Sequence, residues 1–148
     1  MFEAITVKGE KGFIDTSWEE AHFDQTFLGN VAMIDIGDQD NPRRPLVALV
    51  RYEPGAKVPV HHHGTDYVSI VVAGSIEVTR RQHEKGSIRV VKKGTAYGPL
   101  LAGPEGCDVV DIFADRSGVM ATFIDADDEW NAMVAETLVK VAQAMGGK

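Results

Sequence analysis

The chain has 148 residues, the length of one ordinary domain, and its 44% hydrophobic content is enough to bury a core without staples. Its 22 acidic residues against 15 basic ones give a net charge of -7, so it would repel phosphate backbones and a nucleic-acid partner is not expected. The single cysteine, Cys107, excludes an intrachain disulfide, and no apolar run approaches the ~20 residues of a membrane-spanning helix.

The N-terminal segment MFEAITVKGEKGFIDTSWEE carries acidic residues and lacks an apolar h-region, so a cytoplasmic protein is the expectation. Short runs rich in Val, Ile and Phe then follow one another: VAMIDI (31–36), LVALVRY (46–52), DYVSIVV (66–72), SIEVTR (75–80), SIRVV (87–91), CDVVDIF (107–113) and VMATFI (119–124). Their lengths suit strands and are too short for helices. Turn signals separate them at Gly37 to Pro42, Glu53-Pro54-Gly55, Gly74, Lys85-Gly86, Lys93-Gly94 and Arg116 to Gly118. The stretch from Tyr97 to Gly106, rich in glycine and proline, reads as a turning loop. Many short strands at this spacing predict an all-β sandwich or barrel, with its core at about 30–124.

The last twenty or so residues change period. Trp130, Met133, Val134, Leu138, Val141, Ala142 and Met145 recur at three- and four-residue steps, which predicts one helix over about 128–145 with a single apolar stripe. Asp125 or Asp127 would be its N-cap, and Gly146-Gly147 would end it. The stripe is expected to pack across the open side of the β-domain or at a subunit contact.

The informative segment is GAKVPVHHHGTDYVSIVVAG (55–74). In an extended segment alternate residues share a face, so His61 and His63 converge while His62 points away. Neutral imidazole is a common ligand of Zn, Fe, Ni, Cu and Mn. The same parity gathers Thr65, Tyr67, Ser69 and Val71 on the inward face. Val68, Ile70 and Val72 make the other face too apolar for solvent, which predicts a second covered surface.

This stretch resembles the first motif of the cupin superfamily: a glycine, five residues, H-x-H, a glutamate three or four residues on, and a second glycine. Gly55, His61, His63 and Gly74 fall in place, and Tyr67 stands at the glutamate position. The second motif is similar to Gly86-SIRVV-Lys92-Lys93-Gly94-Thr95-Ala96-Tyr97. Gly86 and Gly94 match, Lys92 stands for the usual proline, Tyr97 for the third histidine, and Leu101 for a frequent asparagine. The resemblance implies a single cupin domain over 1–148, a jelly-roll β-barrel with a C-terminal α-helix and a metal at its mouth. It also implies a homodimer and a small-molecule ligand.

Two of the four usual ligand positions are tyrosines, and three arrangements are open. His61 and His63 hold a metal with water or Asp66; a Tyr67 or Tyr97 phenolate joins them; or no metal binds and the four rings line an organic pocket. The ion, if bound, is a divalent or ferric transition metal (Fe, Ni, Zn or Mn). Asp66 reads equally well as a turn residue, His83 as a solvated loop histidine and Cys107 as a small buried hydrophobe; His22 shows no partner signal. There is no G-x-G-x-x-G or P-loop, so no nucleotide is expected. The leading functional expectation is a metal-assisted, dioxygenase-like enzyme acting on a small organic substrate, with Tyr97 and Tyr67 as catalytic groups. The alternatives are a non-catalytic binding or sensing cupin with a degenerate metal site, and a structural dimer formed through the apolar strand face.

Overall fold

The structure, a computed structural model, describes residues 4–6 and 15–145. In chain order its elements are β1 (Ala4–Thr6), β2 (Asp24–Thr26), β3 (Gly29–Asp35), β4 (Leu46–Tyr52), β5 (Lys57–Val58), β6 (His61–His62), β7 (Tyr67–Val78), β8 (Arg81–Glu84), β9 (Ile88–Val91), β10 (Leu100–Phe113), a 3-10 turn at Arg116–Gly118, β11 (Thr122–Phe123) and α1 (Asp128–Met145). No helix among the described residues is long and apolar enough to cross a membrane.

The large sheet runs β1-β3-β4-β10-β7-β8, with β2 on β3, β5 on β10 and β9 on β7; β11 and β6 form a second, two-stranded sheet. Its long strands pair antiparallel, and only β1 lies parallel to its neighbour β3. Side chains from β3, β4, β6, β7, β9, β10 and β11 line one shared interior, so the sheet curls until strands that never pair face one another.

Two expected boundaries are corrected. Gly74 does not separate two strands: residues 66–72 and 75–80 belong mostly to the single strand β7, which continues through it. Likewise, 97–106 is not one turning loop, because β10 begins at Leu100. The cause is a pair of facing irregularities. Inward positions on β7 are Tyr67, Ser69 and Val71 before the glycine but Ile76 and Val78 after it; on β10 they are Leu100 and Ala102, then Cys107, Val109, Asp111 and Phe113. Parity flips on both strands at the register shift between Ala102 and Cys107. Gly74 has a φ of 70°, and a Cβ there would run into the Gly106 carbonyl. The turn-like residues are thus bulge residues inside long strands. VMATFI also shrinks, to the two-residue strand β11, whereas the charged stretch RRQHEKG contains strand β8.

Helix α1 has the expected span. Asp127 caps it, its carboxylate accepting the Trp130 amide at 2.8 Å. Only part of the stripe is covered. Trp130 and Thr137 are buried and Val134 is half-buried, while Met133 and Leu138 remain exposed. Trp130 packs edge-on to Phe27 (5.3 Å) and Phe123 (5.3 Å), so α1 sits over the end of the barrel where β11 lies. Gly146-Gly147 lies outside the described residues. The helix leaves the outer face of β7, β9 and β10 uncovered, with Ile88 and Val90 two-thirds exposed.

Candidate functional site

The strands that carry the two motifs are tied together by backbone before any side chain is considered. His61 and Tyr97 form an antiparallel bridge with both amide–carbonyl bonds at 3.0 Å, and the Gly94 amide donates to the His63 carbonyl at 2.9 Å. On its other side β6 pairs with β11, setting Phe123 opposite His61. The two histidines are therefore held from three directions. Both are buried, as are Thr65, Tyr67, Ser69 and Val71, so the predicted inward face is correct.

The imidazole tautomers follow from their acceptors. His61 Nδ1 lies 2.8 Å from the Pro59 carbonyl, and His63 Nδ1 lies 3.2 Å from the Gly118 carbonyl. A carbonyl only accepts, so each Nδ1 carries the proton and each Nε2 keeps its lone pair. Tyr97 Oη donates to His61 Nε2 at 2.9 Å, and its oxygen also contacts Tyr67 Oη. Burial lowers the pKa of both imidazoles; that of His63 falls to about 4, with His61 nearby adding to the shift. Both rings are therefore neutral at pH 7. Burial, aided by Asp111, raises the Tyr67 phenol above its ordinary range, so it does not ionise unaided.

The anchor of His63 depends on a close approach. A Cβ on Gly118 would sit 2.5 Å from the Gly64 carbonyl carbon and 2.8 Å from the Thr65 amide nitrogen. Only glycine lets the 3-10 turn come that near.

Asp66 does not join the site. Its carboxylate accepts from the Lys93 amide (2.7 Å) and Lys92 Nζ (3.1 Å) at an exposed turn. His83 is likewise remote: it lies on β8, not in a loop, with Nδ1 2.7 Å from Ser87 Oγ. His22 is mostly exposed, 3.5 Å from Asp24. Cys107 is buried and its thiol is pushed up to about 11, as befits a small core residue.

Beside these groups is a cavity of about 80 Å³, room for several waters or one small organic molecule. His61, His63, Tyr67 and Tyr97 line one part of it; Val31, Met33, Val50 and Phe113 give it apolar walls. Two further lining residues escape the motif-based reading: Arg89 and Asp111. They share a cross-strand row, since Ser69 pairs with Arg89 on one side and with Asp111 on the other. Burial pushes Asp111 up to about 6, partly offset by a hydrogen bond from Ser69 and the charge of Arg89. Their signal was present in the sequence. Each is a charged residue at an inward-parity position, on an otherwise apolar strand face, in SIRVV and CDVVDIF.

Two neutral imidazoles whose Nδ1–H groups are fixed by carbonyls fit a transition metal, because such anchoring orients metal-binding histidines. The rest of the donor set is phenolic: among the described residues, no group of three or more His, Cys, Asp and Glu is placed to hold an ion.

No protein-family model and no curated protein matches the sequence. Solved structures do match. An RmlC-like cupin from Shewanella frigidimarina is 19% identical, with a TM-score of 0.55 over 67% of this chain and 87% of that one. The polyketide cyclase RemF from Streptomyces resistomycificus is 12% identical, with a TM-score of 0.62 over 82% of this chain and 98% of that one. Oxalate decarboxylase from Bacillus subtilis, described with Mn(II) centres, is 17% identical, with a TM-score of 0.56 over 90% of this chain and 39% of that one. At these identities the likeness speaks to architecture, and it agrees with the curled, mostly antiparallel sheet and the terminal helix described above: the chain has the cupin fold.

Proposed function

We propose that the barrel interior binds a small organic substrate, that His61 and His63 hold a transition metal through their Nε2 atoms, and that the phenols of Tyr97 and Tyr67 exchange a proton with the bound molecule. The observation that carries this reading is the hydrogen bond from Tyr97 Oη to the unprotonated Nε2 of His61 at the wall of the cavity. A phenol beside that nitrogen in a mostly apolar site is suited to moving a proton to or from a bound molecule. With Nε2 of His61 on a metal, the Tyr97 hydroxyl would be free to donate toward the bound molecule, and Tyr67 lies next in line. A bound metal would supply Lewis acidity toward a substrate oxygen. The solved oxalate decarboxylase with Mn(II) centres supports a metal in such a barrel.

A second reading is a binding or sensing cupin without catalysis. It is favoured by one observation, the absence among the described residues of a third His, Cys, Asp or Glu beside the imidazole pair, since catalytic zinc centres use three protein ligands. Metal analysis of untagged protein tests the choice. Metal near one per chain, lost in His61→Ala/His63→Ala, supports the enzyme; sub-stoichiometric metal unchanged by the double substitution overturns it. The exposed apolar face formed by Ile88 and Val90 supports a homodimer.

A further inference from the structure

Arg89 brings a cation into the barrel interior without a partner of its own kind. It enters from β9, at the end of the row in which Ser69 separates it from Asp111. Its guanidinium carbon lies 5.3 Å from the centre of the Tyr97 ring, and its charge acts on the Tyr67 phenol. Its Nε is buried and has no hydrogen-bond partner among the described residues, and none of their carboxylates lies within ion-pair distance of it.

A guanidinium stays charged in proteins, and keeping a half-buried one out of contact with any carboxylate is costly. An unmade hydrogen bond of a buried donor adds to that cost. The charge of Asp111 is felt here, but its carboxylate does not come within ion-pair reach of the guanidinium. Asp111 is held across Ser69, with its Oδ1 also unpartnered. Apart from Thr26 and Thr137, the remainder of the cavity wall is aliphatic and aromatic.

We propose that the ligand of this cavity is a small organic monoanion, a carboxylate or an enolate on a compact apolar skeleton, and that Arg89 is the residue that selects it. The inference rests on the reading of the barrel interior as a small-molecule site and adds the chemical class. Arg89 supplies the fork of N–H donors that matches two oxygens, the apolar walls take the skeleton, and Tyr97 lies at the same cavity to exchange a proton with it.

The test compares two acids with their neutral amides: benzoate with benzamide, and butyrate with butyramide. Binding is followed by NMR titration of the full chain, with and without chelator, including the Arg89 Nε–H resonance. The expected result is binding of at least one acid about tenfold or more tighter than its amide, a shift of the Nε–H signal, and about tenfold weaker binding in Arg89→Met, with part of the loss recovered in Arg89→Lys. The lysine variant and a thermal melt of each protein separate a lost anchor from a lost fold. Acid binding that survives chelator and fails in Arg89→Met supports the proposal whatever the metal content. Acid binding that fails in chelator and in His61→Ala/His63→Ala but is normal in Arg89→Met overturns it and leaves the metal reading standing. Amides binding as well as acids also overturn it while keeping the cavity as a site. No binding of either kind removes both inferences.

Discussion

Two arginine–aspartate groups lie in the interior of this protein, and they are built in opposite ways. In the first, Asp35 uses both carboxylate oxygens: Oδ1 takes Arg44 Nε at 3.0 Å and Arg116 Nη2, and Oδ2 takes Arg44 Nη2 at 2.9 Å. Arg116 also donates to the Arg44 and Pro45 carbonyls, at 3.1 and 2.8 Å. Burial alone would raise the Asp35 carboxyl, but the hydrogen bonds and charges of the two arginines outweigh it and hold it below the ordinary range. In the second, Arg89 and Asp111 face the cavity, stay out of ion-pair reach and each leave a buried atom unbonded. The first group is a closed clamp that ties β3 to the 3-10 turn after β10. The second has polar capacity to spare beside the cavity, which is how a binding site differs from a structural ion cluster.

The same chemical change should therefore have opposite effects at the two aspartates. Asp35→Asn leaves Arg116, only 4% exposed, without its counter-charge and should destabilise the fold by about 3–5 kcal/mol at pH 7. Chemical denaturation measures this, and a loss below about 1 kcal/mol would dissolve the contrast. The Asp35 contribution is present above the ordinary carboxylate range and fades as acid protonates the group.

Asp111 has the reverse slope. The folded protein raises its pKa from 3.8 to about 6, so the folded state holds the proton more tightly. The stability it contributes is intact below about pH 4 and is lost as pH rises through 6. Asp111→Asn should match the wild type near pH 4 and exceed it by up to about 3 kcal/mol at pH 7.5. A variant less stable than the wild type at pH 7.5 would mean that Asp111 is as well paired as Asp35.

The remaining predictions ask whether the cavity side is held by backbone or by side chains. Gly118→Ala should cost about 1–3 kcal/mol, because the new methyl meets main-chain atoms of residues 64 and 65. It should also displace the carbonyl that anchors His63, visible as a change in the His63 Nδ1–H resonance; an unchanged resonance would release the ring from that anchor. Tyr97→Phe removes two neutral hydrogen bonds, with His61 and with Tyr67, and should cost about 1–2 kcal/mol. It should raise the exchange rate of the His61 ring proton without loosening the barrel. The smallest effect on the fold belongs to the outer face. Ile88→Glu/Val90→Glu should change monomer stability by about 0.5 kcal/mol or less per site, since both residues are two-thirds exposed. Sedimentation should nevertheless shift from dimer to monomer; a wild type that sediments as a monomer removes the interface.

The legible parts of the molecule are those with a local cause. The strand LVALVRY and the helix from Asp128 to Met145 lie where their periods place them. So does the shared inward face of His61, His63 and Tyr67. Strands β5 and β6, two residues each, carry too few positions to show a period. Gly74 and the 103–106 segment mislead for a different reason, because a glycine in a bulge and a glycine in a turn have the same left-handed backbone. Asp66 was a reasonable ligand candidate by its distance along the chain, but its carboxylate is claimed by the Lys92–Lys93 backbone and side chain on the turn outside the cavity.

By itself, then, the amino-acid order determined the all-β class, the terminal helix, the facing pair of imidazoles and the parity that turns Arg89 and Asp111 inward. Each is a consequence of alternation or helical period within one segment. Only the tertiary structure decided that Arg89 lies one strand from Ser69 and two from Asp111, that Tyr97 meets His61, and that Asp35 is saturated while Asp111 is not. Those outcomes depend on which strands become neighbours and in what register, and cross-strand pairing joins residues whose separation along the chain carries no record of it.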